Sequence, residues 1–203
     1  MLTLDAVAKE PMLLTFEMRL PTDRKAIFRP LVPEDETQLA HFLEILGKPT
    51  RRFYSVPDDV APYAKELCEA INRYDKLRLV LEIADTPNAM SHEIIGIVEF
   101  SFDLVNADIE RYATYGIQLV ASSDCRFGLC LSDRYQNLHI GSQLFPFVSE
   151  IAQRFGQTRI ILWGGVYADN ALARQYYARN GFEELGTFED SDGGVSVDMI
   201  YAL

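Results

Sequence analysis

The segment of residues 131–181 constrains the fold more than any other part of the sequence. Its first half predicts the end of an apolar strand, then a polar turn, and then a helix that begins near Ile140. A turn with successive backbone N–H groups at a helix N-terminus suits a phosphate or pyrophosphate, because the positive end of the helix dipole lies there. Apolar residues at helical spacing fall on one face of this helix, which anchors it to a core. They are Ile140, Leu144, Phe147, Val148, Ile151 and Phe155.

The turn carries a motif that resembles the first signature of the GNAT superfamily, the acetyl-CoA-dependent N-acetyltransferases. That signature is an apolar strand residue, then Gln or Arg, two residues, Gly, one residue, and Gly or Ala. Its places are filled here by Leu131, Gln136, His139 and Gly141. The sequence departs from the family at one of these places, because His139 stands where the family has its first glycine.

The end of the segment resembles a later signature of the same superfamily. The matching residues are Asn170, Ala173, Tyr176, Tyr177, Gly181 and Phe182. The two signatures occur in the family's order, and about one helix and one strand are predicted between them. The resemblance covers residues 26–203 and implies an α+β fold. The expected architecture is a central, mostly antiparallel twisted sheet of about seven strands with helices on both faces.

The resemblance also implies acetyl-CoA as the cosubstrate and assigns its contacts. Backbone amides of six residues are expected to hold the pyrophosphate, and Gln136 is expected to shape the turn. The six are Asn137, Leu138, His139, Ile140, Gly141 and Ser142. A backbone N–H of the strand between Leu129 and Leu131 is expected to polarise the thioester carbonyl. Asn170 is expected to hydrogen-bond the pantetheine arm, with a plain helix N-cap as the alternative.

Two side chains are candidates for proton transfer. Tyr177 falls where the superfamily often places a tyrosine that protonates the coenzyme A thiolate, and its alternative is a core aromatic on a helix face. Glu82 and Glu99 interrupt otherwise apolar strands. A carboxylate that faces a cleft there can act as a general base or bind an ammonium group, because partial desolvation raises its pKa. The alternative is a glutamate that points to solvent from the open face of an antiparallel sheet.

Two residues near the turn bear on whether it can bind a phosphate. A glycine takes positive φ easily, whereas His139 carries a Cβ that can crowd the ligand. If position 139 is already helical, histidine fits there and its amide still donates. Pro146 lies about a turn inside the predicted helix and is expected to kink or restart it, because proline removes a backbone donor.

Composition limits the classes of partner. The net charge of −11 argues against a nucleic-acid surface, which needs clustered Lys and Arg, and favours a cationic acceptor. Neither a membrane span nor a signal peptide is indicated, so a cytoplasmic location is expected. The cysteines Cys68, Cys125 and Cys130 give neither an even disulfide framework nor a zinc-ligand spacing, so no metal site is expected.

The remaining chain predicts a single domain over residues 25–203, preceded by residues 1–24 as an arm or an extra strand. Strands are predicted at residues 26–31, 77–84, 94–102, 126–131, 158–167, 182–189 and 195–201. One helix is predicted between Pro33 and Gly47, and a second from residue 58 or 59 with Ile71 and Tyr74 on its inner face. Residues 104–124 are predicted to be an insertion with a strand-like piece at 115–120, which forms either a longer hairpin or a lid.

A loop is predicted at residues 48–56, between the first two helices. It carries Arg51, Arg52, Phe53 and Tyr54. In the resembled fold this part of the chain helps to form the acceptor pocket, so these side chains are specificity candidates. The alternative is a solvated loop with an aromatic side chain tucked under it.

The function predicted from the sequence is an N-acetyltransferase that acts on a primary amine of a small molecule or a peptide N-terminus. The amine attacks acetyl-CoA directly, without a covalent enzyme intermediate. The alternative is a catalytically silent protein of the same fold that binds an acyl-CoA or a partner protein. A third interpretation is a protein of this fold without a nucleotide site. A homodimer through an edge strand or the N-terminal segment is compatible with the sequence but not required by it.

Overall fold

In the computed structural model, residues 1–69, 75–83, 93–190 and 193–203 are described. The helices among them are α1 Leu4–Lys9, α2 Glu36–Glu44, α3 Lys48–Phe53, α4 Val60–Glu69, α5 Asn106–Thr114, α6 Ile140–Arg154 and α7 Ala171–Arg179. The strands are β1 Phe16–Arg19, β2 Lys25–Pro30, β3 Lys76–Ile83, β4 Glu93–Ser101, β5 Asp124–Leu131, β6 Arg159–Leu162, β7 Val166–Tyr167, β8 Glu183–Glu189 and β9 Val195–Ala202. Short 3-10 helices lie at Pro11–Leu14, Pro33–Asp35 and Asp133–Tyr135.

The chain folds into two compact units. The first unit contains residues 2–99 and 129–144, and the second contains Met1, residues 100–128 and residues 145–203. Among the helices within the described ranges, none combines the length and the apolar character that crossing a membrane requires.

The strands of the first unit follow the order β1-β2-β3-β4. Strand β1 pairs with β2 in antiparallel register, with Phe16 opposite Phe28, and β2 pairs with β3 in the same sense. Residues 16–19 of the N-terminal segment are therefore an extra strand. A backbone hydrogen bond of 2.9 Å from Ser132 N–H to the carbonyl of Ile95 joins the chain just after β5 to β4.

Helices α2 and α4 pack on the strands of the first unit through a common apolar core. That core is formed by Leu31, Leu39, Phe42, Leu43, Leu46, Val60, Ala64, Leu67, Cys68, Val80, Ile94, Ile97 and Cys130. Helix α2 is the one predicted between Pro33 and Gly47, and α4 begins at Val60, close to the predicted start at residue 58 or 59. The predicted inner-face residues Ile71 and Tyr74 of this second helix lie outside the described residues, as does residue 84 at the predicted strand end.

A buried ion-pair cluster ties the start of α2 to the sheet of the first unit. Arg29 donates to both carboxylate oxygens of Asp35 at 2.8 Å, and to Glu82 at 2.6 Å. The Asp35 carboxylate also accepts the backbone N–H of Val32 at 2.9 Å, which caps this chain reversal. Glu82 is 3% exposed, so the prediction that it points to solvent is wrong. A carboxylate in an apolar strand is buried here because a guanidinium on the neighbouring strand neutralises it.

The second unit contains a mixed sheet. Strand β5 pairs with β6 in parallel register, whereas β6, β7 and β8 each pair with β9 in antiparallel register. The prediction of an α+β fold with mostly antiparallel strands is confirmed. The described residues form nine strands rather than about seven. One of the additional strands is β1, and the other arises because residues 158–167 form two strands, which Gly164 and Gly165 separate with φ of 71° and 72°.

The insertion at residues 104–124 contains a helix, and its predicted strand-like piece at 115–120 is wrong. Helix α5 lies there, and the buried hydroxyl of Tyr112 donates to the carbonyl of Met199 at 2.9 Å. Arg111 adds ion pairs, at 2.6 Å to Asp198 and at 2.8 Å to Asp108. Long-range polar contacts to β9, which local periodicity does not report, fix this segment as a packed helix.

Two further local predictions are corrected. The loop predicted at residues 48–56 contains helix α3, Lys48–Phe53, with a proline near its first position, where the missing N–H costs little. Helix α6 runs from Ile140 to Arg154 with Pro146 inside it, so it does not restart at the proline. The absence of an N–H at Pro146 leaves the carbonyl four residues earlier without its usual helical donor.

Candidate active site

The turn between β5 and α6 holds two residues other than glycine in the left-handed region. They are Asn137 with φ of 60° and His139 with φ of 59°. Helix α6 begins only at Ile140, so the hypothesis that position 139 is already helical is wrong. His139 instead keeps the backbone conformation that glycine adopts most easily. Turns in which left-handed residues are interleaved with others direct backbone N–H groups into an anion-binding concavity.

The start of α6 supplies donors to this turn. The first backbone N–H groups of any α-helix have no acceptor inside the helix. In α6 these belong to Ile140, Gly141 and Ser142, because the N–H of Gln143 is the first to bond back, to the carbonyl of His139 at 3.1 Å. The side chain of His139 is exposed. The turn therefore combines orphan N–H donors, the positive end of a helix dipole and an open surface.

Side chains of the first unit hold the turn in place. The Gln136 amide donates from Nε2 to the carbonyl of Leu131 at 2.9 Å and to the hydroxyl of Thr50 at 3.2 Å. The Asp133 carboxylate accepts the N–H of Gly47 and the hydroxyl of Thr50, each at 2.8 Å. Asp133 thus connects the N-terminal end of helix α3 to the turn.

The end of β5 leads directly into the turn. Its parallel pairing with β6 runs from Asp124 to Phe127, opposite Leu162, whereas β5 itself continues to Leu131. On the side of β4, the approach of the two strands is close. A Cβ added to Gly96 would lie 2.6 Å from the Leu131 side chain and 3.2 Å from the carbonyl of Cys130. A side chain at position 96 would therefore force the Leu131 side chain to move and would crowd the carbonyl of Cys130.

Glu99 is the centre of a buried polar cluster in the first unit. Arg78 donates from Nε to Glu99 Oε1 at 2.7 Å, and the Tyr54 hydroxyl donates to Oε2 in a short hydrogen bond. Glu99 is 9% exposed, so the alternative that it points to solvent is wrong. Its carboxylate is held by one cation and one phenol, and each oxygen keeps a further lone pair for another donor.

The two tyrosines of this cluster remain protonated at neutral pH. Burial, and then the negative charge of Glu99, raise the pKa of Tyr54 well above its ordinary value. The same two causes raise the pKa of Tyr63 to about 12, against a smaller opposing effect of the Arg78 cation. Tyr54 therefore acts as a hydrogen-bond donor to Glu99 and not as a competing anion.

Sequence reasoning missed Arg78 and Tyr63. Arg78 interrupts the same apolar run as Glu82 in β3, and an arginine in such a run is the signal that could have identified it. Of the four side chains predicted in the 48–56 loop, Tyr54 contacts the cluster. Arg51 instead donates to backbone carbonyls of Leu43 at 3.4 Å and Pro57 at 2.8 Å, which is a structural role.

Asn170 and Tyr177 lie in the second unit. Asn170 caps α7, because its side-chain oxygen accepts the N–H of Ala173 at 3.2 Å. The buried ring of Tyr177 makes edge contacts with Phe127, Tyr176 and Phe182, at centroid distances of 6.3, 5.0 and 5.2 Å.

The hydroxyl of Tyr176 is buried and has no hydrogen-bond partner within the chain that the structure describes. Burial, and then the neighbouring Tyr177, raise the pKa of Tyr176 well above its ordinary value.

The sequence-predicted site residues are thus distributed over both units. The first unit brings together Glu99 and the turn with the strand before it, which are Leu129, Leu131, Gln136, Asn137, Leu138, His139, Ile140, Gly141 and Ser142. The second unit holds Asn170 and Tyr177. The three cysteines are free and buried, and burial raises the pKa of Cys68 to about 12. In the described ranges, no group of three metal-binding side chains forms.

Comparison with known families identifies the class of this chain. Residues 40–182 match the model of the Acetyltransferase (GNAT) family. This match covers most of the chain, and the chain belongs to that family. It is an acyltransferase of the GNAT type, in agreement with the two signatures around the turn and α7. The sequence search among curated proteins finds no match.

Solved structures share the fold. The GNAT domain of S. lividans PAT superposes with a TM-score of 0.67 at 19% identity, over 95% of this chain and 99% of that one. A ribosomal-protein-S5-alanine acetyltransferase from Vibrio fischeri superposes with a TM-score of 0.63 at 16% identity, over 93% of this chain and 96% of that one. An aminoglycoside acetyltransferase, AAC(6')-Ib in complex with coenzyme A, superposes with a TM-score of 0.65 at 15% identity, over 87% of this chain and 94% of that one.

The left-handed conformation of His139 predicts a stabilising substitution. We expect His139→Gly to raise the free energy of unfolding by about 0.5–1 kcal/mol, because glycine takes this φ without strain and loses only part of that gain to its freer unfolded chain. Urea unfolding followed by circular dichroism measures the change.

Asn137→Gly is the matched control, because asparagine tolerates positive φ better and the expected change is close to zero. A loss of stability in His139→Gly of about 1 kcal/mol would instead mean that the imidazole makes a contact that outweighs the strain.

Proposed function

We propose that this protein is an N-acetyltransferase that transfers the acetyl group of acetyl-CoA to a primary amine by direct attack. The observation that carries the proposal is the turn before α6, where positive φ at Asn137 and His139 precedes the orphan N–H groups of the helix. Family membership supports the reaction class, and one of the structural neighbours is a complex with coenzyme A.

The turn is proposed to bind the pyrophosphate of acetyl-CoA. Backbone amides of residues 137–142 would donate to its oxygens, and the positive end of the α6 dipole would favour its charge. The backbone of residues 129–131, where β5 has run past its pairing with β6, would pair with the amide-rich pantetheine arm. One N–H of this strand would polarise the thioester carbonyl, which is worth a few kcal/mol in other acyl-transfer sites. Asn170 is proposed as a further partner of the pantetheine arm.

Coenzyme binding at the turn is tested by calorimetric titration with acetyl-CoA. We expect Gly141→Asp to weaken binding by more than about tenfold, because it places a negative charge and bulk beside the pyrophosphate. Gly141→Ala, which adds bulk without charge, is the matched control and is expected to bind more tightly than the aspartate variant.

His139→Gly is expected to bind acetyl-CoA at least as tightly as the natural chain. The opposite pattern, in which only His139→Gly binds, would mean that histidine closes the site. The interpretation as a silent interaction protein would then replace the enzyme.

Tyr177 is proposed as the acid that protonates the departing thiolate. The amine nitrogen attacks the thioester carbon, the carbon–sulfur bond breaks, and the sulfur takes the phenolic proton. We expect Tyr177→Phe to lower kcat by about a hundredfold with little change in acetyl-CoA affinity, because only the proton donor is lost. Release of free thiol with a panel of amines measures turnover.

Tyr176→Phe is the control for this substitution. The two tyrosines are neighbours in α7, and the Tyr176 hydroxyl has no partner within the described chain, so its removal is expected to leave turnover and stability unchanged. Equal losses in the two variants would assign the effect to packing and would remove Tyr177 from the mechanism.

Glu99 is proposed to take the proton from the attacking amine. Its carboxylate is oriented by Arg78 and Tyr54, and no further donor among the described residues takes the remaining lone pair of each oxygen. We expect Glu99→Gln to lower kcat/KM by about a hundredfold, because glutamine keeps the shape and a hydrogen-bond acceptor but cannot accept the proton.

Glu82→Gln is the matched control for Glu99→Gln. Glu82 is also a buried strand glutamate paired with an arginine, but its partner Arg29 belongs to the structural cluster at the start of α2. Both variants lose a buried charge and some stability. Only Glu99→Gln is expected to lose more kcat/KM than its smaller fraction of folded protein explains. Equal losses would contradict the assignment of Glu99 as the base.

The second candidate function is a catalytically silent protein that binds an acyl-CoA or a partner protein. His139 in the glycine place favours it, because a side chain at this position can limit how closely a phosphate approaches. Turnover with any amine decides for the enzyme, whereas binding of acetyl-CoA without turnover decides for the silent protein. The cytoplasmic location and the homodimer stay predictions.

A further inference from the structure

Strand β1 forms one edge of the sheet in the first unit. It pairs with β2 on one side, and among the described strands none lies on its other side. An edge strand offers unpaired backbone N–H and C=O groups, onto which a further strand can be added. The charged side chains Glu17 and Arg19 are exposed, whereas Phe16 and Met18 are half-buried on the opposite face.

The pairing with β2 determines which backbone groups of β1 face outward. The N–H of Leu20 donates to the carbonyl of Arg24 at 2.9 Å, so the backbone of Leu20 faces β2. Along an antiparallel strand, residues alternate between bonding to one neighbouring strand and facing away from it. Met18 therefore bonds to β2, whereas the N–H and C=O groups of Glu17 and Arg19 face outward.

The charges on this edge are poorly matched within the sheet. Glu17 lies opposite Ile27 of β2 and forms no ion pair among the described residues. Arg19 lies opposite Lys25, and like charges that face each other across two strands are destabilising. Arg19 also has an ion pair with Asp23 at 2.8 Å, but the two side chains are 59% and 85% exposed, and such a pair contributes little.

We propose that this edge binds the β1 edge of a second copy of the chain, in antiparallel orientation about a two-fold axis at Met18. In this register Glu17 of each copy lies opposite Arg19 of the other. Each such pair joins two outward-facing residues, so it exchanges two backbone hydrogen bonds and also places opposite charges next to each other. The two copies of Met18 form the central pair, with their side chains on the less exposed face.

The neighbouring registers that also join outward-facing residues are disfavoured. An axis at Glu17 places two carboxylates opposite each other, and it requires Thr15, whose N–H already donates to a carbonyl of the preceding 3-10 helix at 3.3 Å. An axis at Arg19 places two cations opposite each other, and it requires Pro21, which has no N–H. The axis at Met18 is therefore the register that both the charges and the backbone donors favour.

The first test is the oligomeric state of the natural chain. A contact of four backbone hydrogen bonds and two ion pairs is small, so we expect a dissociation constant on the order of 10–100 µM. Sedimentation velocity at protein concentrations from about 1 to 500 µM is therefore expected to show a monomer–dimer equilibrium.

Charge variants test the pairing. Glu17→Arg leaves two cations on each edge and Arg19→Glu leaves two carboxylates, so each variant is expected to weaken the dimer by about tenfold or more. The double variant exchanges the two charges and is expected to restore the natural dissociation constant. An equimolar mixture of the single variants is expected to form a heterodimer, because two cations then face two carboxylates. Glu110→Arg, at an exposed position of α5, makes the same change in net charge as Glu17→Arg and is expected to keep the natural dissociation constant.

Single cysteines on β1 test the register. The three native cysteines are buried, so an added cysteine on this edge is the one that an oxidant reaches. Met18→Cys places two cysteines opposite each other with Cα atoms about 4.5 Å apart, within the range that a disulfide spans. We expect a covalent dimer of Met18→Cys after mild oxidation, whereas Glu17→Cys and Arg19→Cys are expected to remain single chains in non-reducing electrophoresis.

Three results would overturn the inference. They are a natural chain that stays monomeric at the highest concentration, a dimer that neither charge variant weakens, and cross-linking at position 17 or 19 in place of 18. Thermal unfolding checks that each variant is folded, which is expected because the substituted side chains are on the sheet edge. None of these results bears on acetyl transfer, since β1 contributes no residue to the turn or to the Glu99 cluster.

Discussion

The turn into α6 depends on a backbone conformation that most residues avoid. Positive φ at Asn137 and His139 reverses the chain between the end of β5 and the first turn of the helix. Such conformations persist only where the surrounding structure holds them. Here Gln136 bonds to the carbonyl of Leu131 on one side, and the ordered start of the helix at Ile140 lies on the other. The family's glycine makes this shape easy, and in this chain the surrounding contacts maintain it with histidine.

Buried charge is the second constraint on the first unit. Arg29 and Arg78 each require a carboxylate on a neighbouring strand, and each has one, in Glu82 and Glu99. Such pairs specify an arrangement more than they stabilise it, because desolvation offsets much of their attraction. Their difference lies in what remains unsatisfied. Asp35 completes the set around Arg29, whereas the buried Nη1 of Arg78 has no acceptor among the residues that the structure describes.

The sequence predicted the elements whose signals are local. The apolar period of α6, the cap at Asn170 and the last two strands all follow from neighbouring residues. Helix α5 could not be predicted in this way, since Tyr112 and Arg111 are fixed by Met199 and Asp198, far along the chain. The burial of Glu99 was equally inaccessible, because it depends on an arginine 21 residues away. A motif predicts which turn binds a ligand, but long-range pairing decides which carboxylates are buried.

The Glu99 cluster illustrates why proximity to an arginine does not by itself identify a base. A guanidinium stabilises the charged carboxylate, which lowers its tendency to take a proton, whereas burial acts in the opposite sense. The Tyr54 phenol adds a donor to the same carboxylate, and its own pKa is raised, so it stays a donor.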